Sequence, residues 1–408
     1  MPLLTKNDAK RPKFDVQYAM CEVRCAICKP WNMDHKPQTT NHEPRTSNLA
    51  KEGCIISRLQ RMRQQMHKER VDAYVVIRPE NGRYLSGFTG GEATLYITTE
   101  KAFLLTDFRY IEQAKGEAPG FEIIKTGYNH FISLAETGRQ AQRVGFEGDF
   151  VTYENFGKLK NAFPQAELHS LPNLVNDLRS VKDQTEIKIL RRAVAIADDA
   201  FASVLKSIEI GQTEEEIGID LEYSMRRAGA SGGSFEFIVA SGVRSGLPHG
   251  TASSKKIRLG EFLMMDFGAV YQGYCSDITR TVFLGEPEDK HREVYEVVLA
   301  AQRAGIAAVA PGRTGKEVDA AARKIIEEAG YGAYFGHGLG HSVGLNIHEG
   351  PSLNMREERV LEPDMVITIE PGIYIPDWGG VRIEDIVLVT ENGCEVLTQA
   401  PKELIILE

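Results

Sequence analysis

The chain has 408 residues, 42% apolar and 26% charged, ordinary values for a globular protein and incompatible with a fibre, a coiled coil or a wholly disordered chain. Its net charge is −9 at pH 7, and it has no dense Lys/Arg stripe, which argues against a nucleic-acid-binding function built on phosphate neutralisation. No run of 18 apolar residues suggests a membrane span, the first residues lack the apolar segment of a secretory signal, and six cysteines are too few for a disulfide scaffold, so a soluble cytoplasmic protein of two or three domains with free thiols is expected.

Residues 1–54 carry Pro, Asn, Thr, Lys and His without periodicity and are predicted to be a disordered extension. Cys21, Cys25 and Cys28 have the spacing of iron–sulfur radical enzymes. No βα-barrel pattern follows them, so the spacing is read as incidental. A zinc-binding tail using His35 or His42 has no better support. Regular patterning begins at Ile55, where Leu59, Met62 and Met66 recur at helical spacing. Strands are predicted at Asp72–Ile77, Thr94–Thr98, Ala102–Leu105, Ile123–Lys125 and Arg143–Glu147, with a helix at Glu154–Ala162. These form a small α/β domain over residues 55–175. Leu171–Asp183 reads as a linker, and Glu186–Ile208 as a long helix at the start of a second domain over 184–408.

That second domain contains a repeat. Gly211, Thr213, Glu216 and Ile217 recur 101 residues on as Gly312, Thr314, Glu317 and Val318. Each set runs into a helix ending Ala-Gly. Each half then reaches an apolar strand closed by a carboxylate: Phe262–Asp266 in the first, Met365–Glu370 in the second. Two such units facing each other would bring their carboxylates to one central cleft.

Three segments carry the candidate chemistry. In Phe262–Thr281, Asp266 ends an apolar run and Asp277 opens a second strand after a Gly-rich turn. Taken singly, each is the kind of aspartate usually found solvated. Phe335–Asn354 is glycine-rich and holds His337, His341 and His348; glycine lets backbone approach a ligand, and histidine is the commonest metal ligand. In Met365–Asp385, Glu370 ends an apolar strand and Glu384 lies in a predicted strand Val381–Val389. A carboxylate that deep in a strand is costly unless paired or metal-bound. Four carboxylates and one imidazole suit divalent Mn, Co, Fe or Zn, and two divalent ions would neutralise the four charges. This is the donor set of a two-metal hydrolase.

The spacing of Asp266, Asp277, His341, Glu370 and Glu384 resembles the five-ligand set of the pita-bread-fold metallopeptidases: aminopeptidase P, prolidase and methionine aminopeptidase. The resemblance covers roughly residues 55–408. Asn81–Gly90 and Leu105–Ala114 resemble the creatinase/prolidase N-terminal domain, which methionine aminopeptidases lack. The resemblance implies an α/β (α+β) fold with a small N-terminal domain followed by a pseudo-twofold catalytic domain. It implies that Asp266, Asp277 and Glu384 bind one metal, and that Asp277 and Glu384 bridge to a second completed by His341 and Glu370. It makes Glu370 the general base, His249 and His348 substrate-side groups, and Arg382 the partner of a carboxylate near the metals, with His337 orienting the loop or touching substrate. The expected enzyme is an Xaa-Pro aminopeptidase with two divalent ions per subunit, Mn2+ before Co2+ or Zn2+. Attack comes from a metal-bridging hydroxide on peptides with proline second, and the assembly is a homodimer. Xaa-Pro dipeptidase is the alternative; methionine aminopeptidase and a non-catalytic binding protein rank lower.

Overall fold

The computed structural model describes residues 45–408, with side chains from residue 52. The disorder expected for the first 44 residues, and the readings of Cys21, Cys25, Cys28, His35 and His42, lie outside the described residues. Helix α1 runs Arg45–Lys68, ten residues upstream of the predicted start, so residues 45–54 are helical and not an irregular extension. Ile55, Leu59, Met62 and Met66 are buried as their spacing requires.

Six strands follow: β1 (Ala73–Val76), β2 (Thr94–Thr98), β3 (Ala102–Thr106), β4 (Glu122–Lys125), β5 (Arg143–Phe146) and β6 (Glu167–Ser170). They form one mixed sheet in the order β4-β3-β2-β1-β5-β6. All four residues of β1 are buried, because the sheet is covered on both faces. Tyr74 and Val76 point into one core and Ala73 and Val75 into another, the period of two that a pleated strand imposes. The predicted helix near Glu154 runs Tyr153–Ala162.

The segment expected to be a linker is built structure. Leu174–Ser180 is helix α2, and Leu174, Val175 and Leu178 share a core with Met62, Tyr84, Val343, Val366 and Leu388. That core spans the N-terminal and C-terminal regions. Arg58 of α1 ties them further. It donates to Asp183 Oδ2 at 2.7 Å and to the Tyr84 carbonyl at 2.9 Å, and lies 3.3 Å from Glu186 Oε2. Glu186 in turn accepts from the Tyr274 hydroxyl at 2.9 Å. Truncating Arg58 leaves Glu186 buried without its cation. Arg58→Ala should therefore cost about 3–5 kcal/mol, read by denaturant titration. A loss below about 1 kcal/mol, the level of an exposed pair, would contradict this account of how the regions are joined.

The C-terminal region consists of two similar halves. The first comprises α3 (Gln184–Val204), α4 (Glu214–Arg227), β7 (Ile238–Ser241), β8 (Glu261–Phe267) and β9 (Ile278–Leu284). The second comprises α5 (Asp289–Ala308), α6 (Gly315–Glu328), β10 (Gly340–Ser342), β11 (Glu349–Leu353), β12 (Val366–Ile369), the hairpin β13 (Gly372–Ile375) and β14 (Gly379–Arg382), β15 (Asp385–Thr390) and β16 (Gly393–Val396). A short β17 (Ile406–Leu407) returns to the first sheet, whose order is β17-β9-β8-β7; the second sheet is β11-β10-β12-β15-β16. The sequence repeat is a structural repeat. Thr213 with Glu216, and Thr314 with Glu317, form capping boxes at the starts of α4 and α6. Gly211 and Gly312 both have left-handed φ, 99° and 86°, which glycine adopts freely.

Candidate active site

Asp266 is the sixth residue of β8 and lies opposite Thr279 of β9. The turn between these strands puts Asp277 immediately before β9. Gly268 permits the close return: a Cβ there would sit 1.8 Å from the Ser276 carbonyl. From the second half, His341 stands in β10. Its Nδ1 bonds the Ser342 carbonyl at 3.1 Å, which fixes the proton there and leaves Nε2 free to act as a ligand. Nε2 is 3.3 Å from Glu370 Oε1 and 3.6 Å from Asp277 Oδ2.

Glu384 does not lie within a continuous strand as expected. The strand breaks between Arg382 and Asp385, and Glu384 occupies the break. Its N–H donates to the Thr279 carbonyl at 3.1 Å, and its Oε2 accepts from the Thr279 hydroxyl at 2.7 Å. The buried Arg280 grips the same corner. It contacts the Glu384 carbonyl, and it donates to Asp385 Oδ1 at 2.7 Å, to the Ala400 carbonyl at 2.7 Å and to the Pro401 carbonyl at 2.9 Å.

Ligand atoms of Asp277, His341 and Glu384 fall within 4.8 Å of one another. Asp266 Oδ1 and Glu384 Oε1 are buried with no hydrogen-bond partner. Orphaned carboxylate oxygens are expensive in protein, and a divalent cation is the partner that suits oxygen donors with one imidazole. The residues present therefore fit the metal set that the sequence implies.

The charges behave accordingly. Burial, reinforced by the Glu384, Asp266 and Glu370 charges, pushes the Asp277 carboxyl well above the usual range. Burial and the Glu370 and Asp266 charges do the same to Glu384. Burial raises Glu370 from 4.5 to about 7 against the pull of Arg382. Between those two values the folded metal-free chain keeps a proton that the unfolded chain has lost. Stability of the metal-free protein should therefore fall as pH rises from about 5 to 7. Thermal melts in chelator check this, and Glu370→Gln should reduce the slope without removing it, because Asp277 and Glu384 are shifted the same way. Metal affinity should rise over the same pH range, because ligation displaces these protons.

Arg382 contacts Asp266 Oδ2 and donates to the Tyr374 hydroxyl at 2.7 Å, the Thr279 hydroxyl at 3.0 Å and the Pro248 carbonyl at 3.1 Å. It thus pairs with a carboxylate of the cluster, the contact that the family resemblance implied. His337 Nε2 meets the Tyr374 hydroxyl at 2.9 Å and its Nδ1 the Gly338 carbonyl at 2.7 Å. Burial pushes this imidazole down to about 4, so it is neutral at pH 7 and braces Tyr374.

The site residues singled out from sequence (Asp266, Asp277, His341, Glu370, Glu384, His249, His348, Arg382 and His337) line one cleft of about 1070 Å3. His249 and His348 are exposed in it, and the His348 ring lies edge-on to His341 with centroids 4.4 Å apart. Phe235, Ile238 and Pro248 add an apolar wall. Sequence reasoning missed Thr279, Thr368 and Tyr374. Thr368 accepts from the His341 N–H at 3.0 Å and donates to Glu370 Oε1 at 3.2 Å, joining two candidate ligands. The available signal was spacing: Thr279 and Thr368 each lie two residues from a candidate ligand, on the same face of an extended strand.

Residues 188–391 match the model of metallopeptidase family M24, and residues 58–181 match the creatinase/prolidase N-terminal domain. An Xaa-Pro dipeptidase of Pyrococcus furiosus is 42% identical over 360 residues, 85% of this chain and 99% of that protein. The chain belongs to metallopeptidase family M24. This M24 peptidase is a metal-dependent hydrolase with the pita-bread fold. Among solved structures, an Xaa-Pro dipeptidase from Bacillus anthracis matches with a TM-score of 0.85 at 46% identity, covering 86% of this chain and all of that one. An X-Pro aminopeptidase from Thermotoga maritima matches with a TM-score of 0.79 at 39% identity, covering 84% of this chain and all of that one.

Proposed function

We propose that this M24 peptidase hydrolyses the bond between an N-terminal residue and a following proline, with Xaa-Pro dipeptides as the favoured substrates. The observation that carries the reading is the cluster of Asp277, His341 and Glu384 on a cleft that also holds two non-ligand histidines. The sequence alone favoured an aminopeptidase. Relatives named Xaa-Pro dipeptidase at 42% and 46% identity, against an X-Pro aminopeptidase at 39%, support taking the dipeptidase as the first reading and the aminopeptidase as the second.

Asp266, Asp277 and Glu384 would hold one divalent ion, and His341 and Glu370, with Asp277 and Glu384 shared, a second; Mn2+ is the first choice and Co2+ or Zn2+ the alternatives. Such ions supply a low-pKa water and polarise a carbonyl. The chain's own residues do the rest. Glu370, at the edge of the cluster, would take the proton of the attacking water as general base. His249 and His348 face the scissile carbonyl. Arg382 fixes Asp266 and, through Tyr374, the loop carrying His337. Proline has no N–H to donate, so an apolar wall of Phe235, Ile238 and Pro248 can accept its ring without leaving a donor unpaired. The same reading has the enzyme work as a cytoplasmic homodimer; among the described residues no helix is long and apolar enough to cross a membrane.

The test is a substrate panel with added Mn2+: Xaa-Pro, Xaa-Pro-Yaa, Xaa-Ala and Met-Ala-Ser. Xaa-Pro should be cut fastest and Xaa-Ala should resist. Equal turnover of Xaa-Pro and Xaa-Ala removes the proline reading, and preference for Xaa-Pro-Yaa restores the aminopeptidase.

A further inference from the structure

Glu349 directly follows His348 and opens β11, yet no role falls to it in the chemistry above. Its side chain is 7% exposed and meets two cations, Arg179 Nη2 in close contact and Lys182 Nζ at 3.4 Å; those side chains are 4% and 1% exposed. A carboxylate so deeply enclosed is there at a desolvation cost that its partners must offset. The same oxygen that meets Arg179 also accepts the Asn346 N–H at 3.0 Å. It thereby closes a four-residue turn, Asn346–Glu349, with His348 inside it. Gly344 makes room for this: a Cβ there would lie 2.6 Å from both carboxylate oxygens. The Gly344 carbonyl accepts from the Cys275 N–H at 2.7 Å, two residues before Asp277.

On its far side, Arg179 donates to Asn81 Oδ1 at 2.7 Å, and Asn81 donates to the buried Glu147 at 2.6 Å. Glu147 accepts the N–H groups of Ile77 and Arg78 at 2.6 and 2.8 Å, just beyond β1. An unbroken polar chain thus runs from the end of an N-terminal-domain strand, through α2, to the turn that presents His348. The geometry points to Glu349, clamped by Arg179 and Lys182, as a positioning residue that sets the His348 imidazole in the cleft. The N-terminal domain thereby acts on the active site through this ion cluster. The inference rests on the reading of His348 as a substrate-facing group.

The experiment is a double-mutant cycle on the full-length enzyme loaded with Mn2+, assayed on an Xaa-Pro dipeptide. Glu349→Gln keeps the shape and removes the charge. It should lower kcat about ten- to a hundredfold, the scale of a small misplacement of a reacting group, with metal content unchanged. In the His348→Ala background the same substitution should lower kcat less than about twofold, because the group it positions is already gone. An equal drop in both backgrounds, or no drop in either, overturns the proposal. If Glu349→Gln does not fold, Arg179→Lys enters the same cycle under the same criterion, since lysine keeps the charge and cannot hold Glu349 and Asn81 together. A fully active His348→Ala enzyme removes the reading of His348 and this inference with it. A slow His348→Ala enzyme with additive Glu349→Gln losses removes this inference alone.

Discussion

Asp277→Asn should abolish peptidase activity and release metal. Asp277 is the carboxylate that ligand geometry groups with both His341 and Glu384, and its proton affinity is raised by burial and by the three other carboxylates. The amide loses the charge that draws a cation and retains one neutral oxygen. A residue that only orients a metal ligand is worth ten- to a hundredfold in affinity or activity; a shared ligand should exceed that, and a loss on the order of a thousandfold or more is expected. Chelation of the wild type should give the same silence, reversed by Mn2+ or Co2+. Metal content per subunit measured beside kcat decides the matter. An Asp277→Asn enzyme with two ions and a tenth of the activity, or a fully active chelated wild type, would refute the metal assignment.

The second large effect separates the two histidines of one loop. His348 is exposed in the cleft, while His341 has its Nε2 among carboxylates. Losing a donor that stabilises the developing oxyanion typically costs about 2.7–4 kcal/mol, so His348→Ala should lower kcat roughly a hundred- to a thousandfold. Both ions should stay, because no ligand has been removed. His341→Ala should lose at least one ion along with activity. Should His348→Ala shed metal while His341→Ala keeps both ions, the roles within the loop are reversed.

Much of this site was legible because metal chemistry limits the donor types. Carboxylates at the ends of apolar runs, with one histidine among glycines, leave few readings, and the 101-residue repeat showed how two distant halves would meet. What was lost was lost for local reasons. Val381–Val389 reads as one apolar strand, yet Glu384 sits in a break that sequence cannot reveal, because the break is stabilised by Thr279 and Arg280 from the other half. Leu171–Asp183 carries Pro172, Asn173 and Asp183, all turn formers, and α2 is too short to show periodicity. Its burial depends on partners as distant as Val343 and Leu388. Residues 45–54 include few apolar positions, so the first turns of α1 left no amphipathic trace. Tyr374, Thr279 and Thr368 are ordinary strand residues until a partner from another strand or loop gives each hydroxyl a task.

The grip of Arg280 on the far half has a consequence for biosynthesis. Asp277 is made 107 residues before Glu384, a delay of roughly 5–20 s at about 5–20 residues per second. Throughout that interval the nascent first half holds a guanidinium with one native acceptor, the Thr279 carbonyl, while those at Glu384, Asp385, Ala400 and Pro401 do not yet exist. Closing β9 early would strand that charge in an apolar interior, so the half-made chain must wait open, with the apolar β8 exposed to neighbouring chains and to chaperones. The two halves look like copies of one unit, but the first should not fold in its own right, and a fragment ending near residue 285 should accumulate as insoluble protein.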